Sequence, residues 1–384
     1  MTQRRSRGAI IGIGELKPQR TTLGETTLGM IARVSRLALL DAGLEPAAID
    51  GLLVGPQVGE TPQHVPATVA EYLGLRPRVA NVVDLGGASG AGMVWRAGAA
   101  IAAGMCETVL CVLANIREEI APRSPNRNPI REFDVPFGAS GANVTYAMIK
   151  QRHQAEFGCA DRDYAEIAAH ARANAQLNPD AIFHGRPATA DDVLASPMIA
   201  SPLRLYEIVM PVAGGEAVIV TSAERARGKR HVHLLGAGEM ITHRALSQAP
   251  VLTSGPLKPA MAQAFEQSGT SAGEMHLLSL YDCYTIMVAT TLEDAGICAP
   301  GQFGAWLRDH DTLPSGDAPL NTHGGQLGFG QPDLAGGMTH IVEAVRQLRG
   351  EATGRQIPDA RLALVTGNGA TMSEATALVL GADA

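Results

Sequence analysis

Runs of apolar residues alternate along the chain with stretches in which apolar positions recur every three or four residues. Residues 8–14 (GAIIGIG) predict a buried strand. Residues 23–42 have helical spacing, with Thr and Glu near the start and Gly43 as a stop signal. The alternation continues through strand 51–54, short helix 65–73, strand 78–83, an Ala-rich helix 91–103 and strand 108–114. It implies a mostly parallel sheet covered on both faces. From about 116 to 210 the texture changes: Arg, Asn, Pro and Asp crowd the stretch REEIAPRSPNRNPIREFD, and helices such as 161–176 are separated by polar turns. This reads as a large excursion inserted into the α/β unit, with the sheet resuming at 215–223. A second half follows, with strand 233–238, helix 257–268, strand 277–280, helix 286–295, an amphipathic helix 337–348 and closing strands 362–365 and 375–380. Both halves present an apolar strand, a turn loaded with functional groups and a helix, without repeated identities.

Composition narrows the classes. A length of 384 residues suits two or three folding units, and 46% hydrophobic with 18% charged residues is a globular balance. Aromatics make up only 4% while glycines number 43, as layered α/β packing around small aliphatics would need. A net charge of −7 argues against a nucleic-acid or anionic-membrane binder. The basic start MTQRRSR leads into an apolar run too short for a signal peptide or membrane span. The five cysteines are scattered, with no C-x-x-C pair, so neither a disulfide framework nor a zinc site is expected from them. The cytoplasm is the default compartment.

Four turns can carry chemistry, because ligands gather beyond the carboxyl ends of strands in open α/β sheets. The first is Asp84-Leu85-Gly86-Gly87-Ala88-Ser89-Gly90, whose glycines let backbone approach a ligand and whose N–H groups can hold an oxyanion; packing alone explains it too. The second is Tyr281-Asp282-Cys283-Tyr284-Thr285, with a phenol and a carboxylate as acid/base groups and a thiol that is either a nucleophile or a small core residue. The third runs from Asn321 to Pro332. It holds His323, Gly325 and the amides of Asn321 and Gln331, with His323 either a base or a fixer of loop geometry. The fourth, Thr366-Gly367-Asn368-Gly369, lies between the final strands, where Asn-Gly is a turn signal.

Together these turns resemble the thiolase superfamily, and within it the sterol-carrier-protein-type branch. The resemblance spans essentially the whole chain, including DVLASPMIASPLRLYEIVMPVAGGEAVIV and HIVEAVRQLRGE. It implies two similar βαβαβ halves in a five-layer αβαβα sandwich: residues 1–115 with 212–230, an inserted loop domain at 116–211, and 231–384. It also implies a homodimer. The catalytic signatures depart from the family. Its Cys-x-Ser-Gly nucleophile motif reads Gly87-Ala88-Ser89-Gly90, its Gly-His-Pro reads Gly330-Gln331-Pro332, its second Cys falls at Val365, and its His-Asp-Cys-Phe reads Tyr281-Asp282-Cys283-Tyr284. Without those groups the usual acyl-enzyme route is closed, since they act as a unit.

The pattern is similar to the aldolase subgroup of steroid side-chain degradation, which lacks the Cys, uses Tyr at the His-Asp-Cys-Phe position and pairs with an OB-fold DUF35-type protein that can carry zinc. A second Tyr of that subgroup's Gly-rich loop is missing, with Phe329 and Gln331 standing there. The resemblance implies retro-aldol cleavage of a β-hydroxyacyl-CoA with no bound cofactor. Tyr281 is then the base, His323 or a water on Gln331 assists, Asp282 supports, and Gly87, Ala88, Ser89, Asn321, Gly325 and Asn368 hold substrate and oxyanion. A residual acyltransferase and a non-catalytic acyl-CoA-binding subunit are the alternatives.

Overall fold

The first strand, β1 (Ala9–Gln19), carries Gly12 and Gly14, and helix α1 (Thr27–Ala42) lies directly on them. A Cβ at Gly12 would come within 2.4 Å of the Ala38 carbonyl oxygen, and one at Gly14 within 2.4 Å of that of Val34. The second half repeats the device: Gly236 and Gly238 of one strand meet the Ala264 and Ala260 carbonyls of a helix at 2.1 and 2.0 Å. A Gly-x-Gly step on the leading strand of each half is thus the trace of their likeness.

The structure is a computed structural model that describes residues 7–22, 24–56, 64–117, 135–139 and 141–383. Leu23, with which the first helix was expected to start, lies outside them, as do the basic start at residues 1–6 and all of the polar run except Arg117. Helix α1 is capped by Thr26, whose side chain accepts from the Gly29 N–H, and closed by Gly43 in the left-handed conformation.

The first half continues as β2 (Gly51–Val54), α2 (Val65–Leu73), β3 (Val79–Val82), α3 (Ser89–Ala102) and β4 (Thr108–Asn115). Helices α4 (Ala142–Phe157), α5 (Asp161–Gln176) and α6 (Ala190–Ala195) and a small hairpin of β5 (Met198–Ala200) and β6 (Leu203–Arg204) precede β7 (Ala213–Thr221). The second half comprises β8 (Val232–Ile241), α7 (Leu257–Ser268), β9 (Leu277–Ser279), α8 (Thr285–Asp294), α9 (Phe303–Asp309), α10 (Gly325–Phe329), α11 (Gly336–Arg349), β10 (Leu362–Gly369) and β11 (Glu374–Ala382).

Strand order is β3-β2-β4-β7-β1-β8-β11-β10-β9, the two halves meeting edge to edge where Ala9 and Ile10 pair with His233 and Val232. The central strands are buried on both faces, and successive residues point with period two into different core layers. On β4, Val109, Cys111 and Leu113 face the central layer of α3 and α11, whereas Leu110 and Val112 face α1 and α2. Helices α7 and α8 cover the opposite outer face. The result is the expected αβαβα sandwich. The sheet is not mostly parallel, however. Among the described residues only β2–β3, β2–β4 and β9–β10 are parallel, because each half's first strand pairs antiparallel with its returning strand.

Two further expectations give way. Asn368-Gly369 is no turn but the buried end of β10, where Asn368 pairs with Ala375. Glycine is needed there for proximity: a Cβ at Gly367 would lie 2.8 Å from Ala88 Cα, and one at Gly369 2.0 Å from the Leu85 carbonyl oxygen. Helix α11 has a polar stripe but no wet face. Thr339, His340, Glu343 and Gln347 are all buried and hydrogen-bonded inside the protein. Among the described residues no helix is long and apolar enough to cross a membrane.

Candidate active site

The Gly-rich turn 84–90, the 281–285 turn, the loop before α11 and the end of β10 converge at one end of the central layer. Gly87 is the meeting point. A Cβ there would fall 2.0 Å from the Tyr281 hydroxyl oxygen and 2.6 Å from the Asn368 carbonyl oxygen. Gly87 is not among the residues with positive φ, so the exclusion is steric and not conformational. The phenol of Tyr281 therefore fills the space into which a side chain at 87 would project. From the other side, helix α11 comes so close that a Cβ at Gly337 would sit 1.9 Å from the Gly87 carbonyl oxygen.

Tyr281 is buried, its backbone N–H donates to Thr366 Oγ1 at 2.9 Å, and its hydroxyl accepts from Gln331 Nε2 at 3.0 Å. Burial raises its pKa well above the ordinary phenol value, and the neighbouring Cys283 adds to this. The phenol is neutral at physiological pH and hence a proton donor. Gln331 is only half-buried and is the member of the set open to solvent. Cys283 is held as a thiol: burial pushes it up to about 12, which removes the thiolate a nucleophile needs.

Asp282 does different work. Its buried carboxylate accepts from the backbone N–H of Gln326 at 2.7 Å and of Leu327 at 3.2 Å, and lies 3.2 Å from His340 Nε2. It clamps the start of α10, and a Cβ at Gly325 would meet it at 2.1 Å. Asp282→Asn is expected to lower the unfolding free energy by roughly 2 kcal/mol, the scale of a hydrogen bond to a charged group. Chemical denaturation reads this as a lower midpoint at unchanged slope; an unmoved midpoint would sink the clamp reading.

The remaining expected residues are in place but largely committed. The side-chain oxygen of Asn321 accepts from Leu280 N at 2.7 Å and its amide donates to Leu280 O at 2.9 Å, so it splints the strand end. The Asn368 amide donates to the Tyr146 hydroxyl at 2.8 Å. The N–H groups of Ala88 and Ser89 go to Leu85 O and Gly86 O at 3.0 Å each, and the Ser89 hydroxyl donates to Gly86 O at 2.6 Å. An oxyanion at this turn would have to compete with those bonds. His323 is buried beside His340 and Phe329, with ring centroids 5.1 and 5.7 Å away, and neither of its nitrogens has a protein partner. Burial, then His340, holds it well below the ordinary imidazole pKa, so the ring is neutral.

Sequence reasoning missed His340 and Tyr146, and gave Thr366, in the fourth turn, no role. His340 lies in the HIVEAVRQLRGE segment, but a polar stripe on a helix carries no sign that it is buried. Tyr146 comes from α4, far off in sequence, and stacks on Tyr284 with centroids 4.2 Å apart.

This fold, with a phenol over a glycine in place of a thiol, defines a thiolase-like protein without the thiolase nucleophile. The Thiolase C-terminal domain-like family matches residues 238–382. The chain is 31% identical over 397 residues to the steroid side-chain-cleaving aldolase of Thermomonospora curvata, covering 98% of each. It is 30% identical over 359 residues to the 17-hydroxy-3-oxo-4-pregnene-20-carboxyl-CoA lyase of Mycobacterium tuberculosis, covering 89% of this chain and 91% of the lyase. The solved Ltp2-ChsH2(DUF35) aldolase superposes with a TM-score of 0.89 at 30% identity, covering 98% of both chains. The chain belongs to the thiolase superfamily, in the sterol-carrier-protein-type branch that contains the steroid side-chain-cleaving aldolases.

Proposed function

We propose that this protein is a carbon–carbon lyase that cleaves a β-hydroxyacyl-CoA by a retro-aldol reaction, with a bulky steroid-like acyl group as the substrate class. The observation that carries this is the neutral Tyr281 phenol seated over Gly87, where a nucleophile would otherwise stand. Loss of the hydroxyl proton lets the Cα–Cβ bond break. The hydroxyl carbon leaves as a ketone or aldehyde, and the electron pair moves into the thioester enolate. Tyr281 donates its hydrogen bond to that enolate and then its proton to Cα, which gives the shortened acyl-CoA. The sequence reading gave Tyr281 the base's part; burial gives it the acid's. Water on the half-exposed Gln331 takes the hydroxyl proton and returns it to the Tyr281 oxygen, so the phenol is restored and no net proton is gained or lost. His340 and Asp282 position Tyr281 and the α10 loop. The thioester stays intact throughout, so no acyl-enzyme is needed.

The likeness to an aldolase solved with a DUF35 protein supports pairing with an OB-fold partner, and the family resemblance is the ground for a homodimer. The test is a panel of β-hydroxyacyl-CoA and β-ketoacyl-CoA thioesters, incubated with the protein alone and with its OB-fold partner and read by mass spectrometry. Release of a carbonyl product with an acyl-CoA of matching shorter length is expected from the hydroxy series. Thiolysis of the keto series, or no turnover with the partner present, would overturn the proposal.

A further inference from the structure

Close to the seam where the two halves meet, His231, just before β8, and His233, its second residue, stand two residues apart on one face of the chain. Gly381 of β11 pairs with His233, and Asp383 follows two residues on, on that same face. His231 Nδ1 lies 2.8 Å from the Lys229 carbonyl oxygen; donating there leaves the Nε2 lone pair free. That Nε2 is 3.3 Å from His233 Nε2, the two rings standing at 88°. His233 Nε2 lies 3.5 Å from Asp383 Oδ1, and His231 Nδ1 lies 3.5 Å from Oδ2. One ligand atom from each residue falls within 4.8 Å of the others.

We propose that His231, His233 and Asp383 form a binding site for a divalent metal ion of the zinc type, which ties the end of β11 to the start of β8. The spacings select the ion. Bonds of about 2.0–2.1 Å give a tetrahedral edge of about 3.3–3.4 Å and an octahedral edge of about 3.0 Å. The two edges at His233 Nε2, 3.3 and 3.5 Å, lie near the tetrahedral value, and the third falls within 4.8 Å. Two imidazoles with one carboxylate form a borderline donor set, which disfavours Mg²⁺ and Ca²⁺. The Lys229 carbonyl is the outer partner that orients His231. The fourth position opens to water, since Asp383 is exposed.

The untagged full chain, stripped with chelator and titrated with ZnCl₂ in a calorimeter, is expected to bind one equivalent and to gain in melting temperature. His233→Asn should weaken binding by at least the roughly 10- to 100-fold that an outer-shell loss costs, and abolish the gain. His310→Asn, at a distant exposed histidine, should change neither. Co²⁺ in place of Zn²⁺ should give the intense visible absorption of four-coordination. Equal melting temperatures of the metal-free wild type and His233→Asn show that the variant folds. No binding, binding indifferent to His233→Asn, or a weak six-coordinate Co²⁺ spectrum would each overturn the site.

Discussion

Tyr281→Phe is expected to cut kcat by about 10²- to 10⁴-fold, the range that a positioned general acid supplies. The ring keeps its packing between Gly87 and helix α11, so the fold survives and KM moves little. Two things are lost: the proton donor, and the acceptor for Gln331 Nε2. The pH profile carries a second signature. An acid must be protonated to act, and burial moves this phenol upward from its ordinary value. The rate should therefore hold through the neutral range and fall only where pH climbs through the raised pKa. A Phe variant with wild-type kcat on the cleaved thioester would remove Tyr281 from the chemistry.

Gly87→Cys is expected to restore no thiolase activity and to abolish cleavage. The new Cβ would stand 2.0 Å from the Tyr281 oxygen, so the ring must leave its place or the turn must open. Overpacking of this kind costs about 1–3 kcal/mol. The single-methyl variant Gly87→Ala isolates the clash, and pairing it with Tyr281→Ala should lower the combined destabilisation below the sum of the two. That coupling is the quantity to measure by denaturation of all four chains. Relief will be partial, because the Asn368 carbonyl oxygen also lies 2.6 Å from the new atom. Strict additivity would mean that the two positions do not touch.

The elements and their layering were legible because strands and helices announce themselves by period and by glycine stops: Gly43 ends α1 where a stop was read. Strand direction was not. The alternation of β2, α2, β3, α3 and β4 is local, whereas the antiparallel return of β7 is paired with β4 from Asn115 to Gly214 and with β1 from Ala9 to Thr221, far across the sequence. The turns at 84–90, 281–285 and 321–332 could be picked out by their glycines and titratable groups. What each group does there could not, because it is decided by partners distant in sequence. Asp282 looks like a catalytic carboxylate until the N–H groups of Gln326 and Leu327 are seen to occupy it. Asn321 looks like an oxyanion donor until it pairs with Leu280. Asn-Gly at 368–369 reads as a turn because local preference cannot foresee that Leu85 needs room there.

The overlap at Gly87 also constrains ancestry. A thiol at 87 and Tyr281 in its present place would claim one volume. Thiol and phenol are thus alternatives in one volume, and a chain can hold the second in this place only once the first is gone. Reversion meets the same barrier from the other side. A lineage at this point is ratcheted, because any one-step return to the thiol must first evict the residue on which its present chemistry depends.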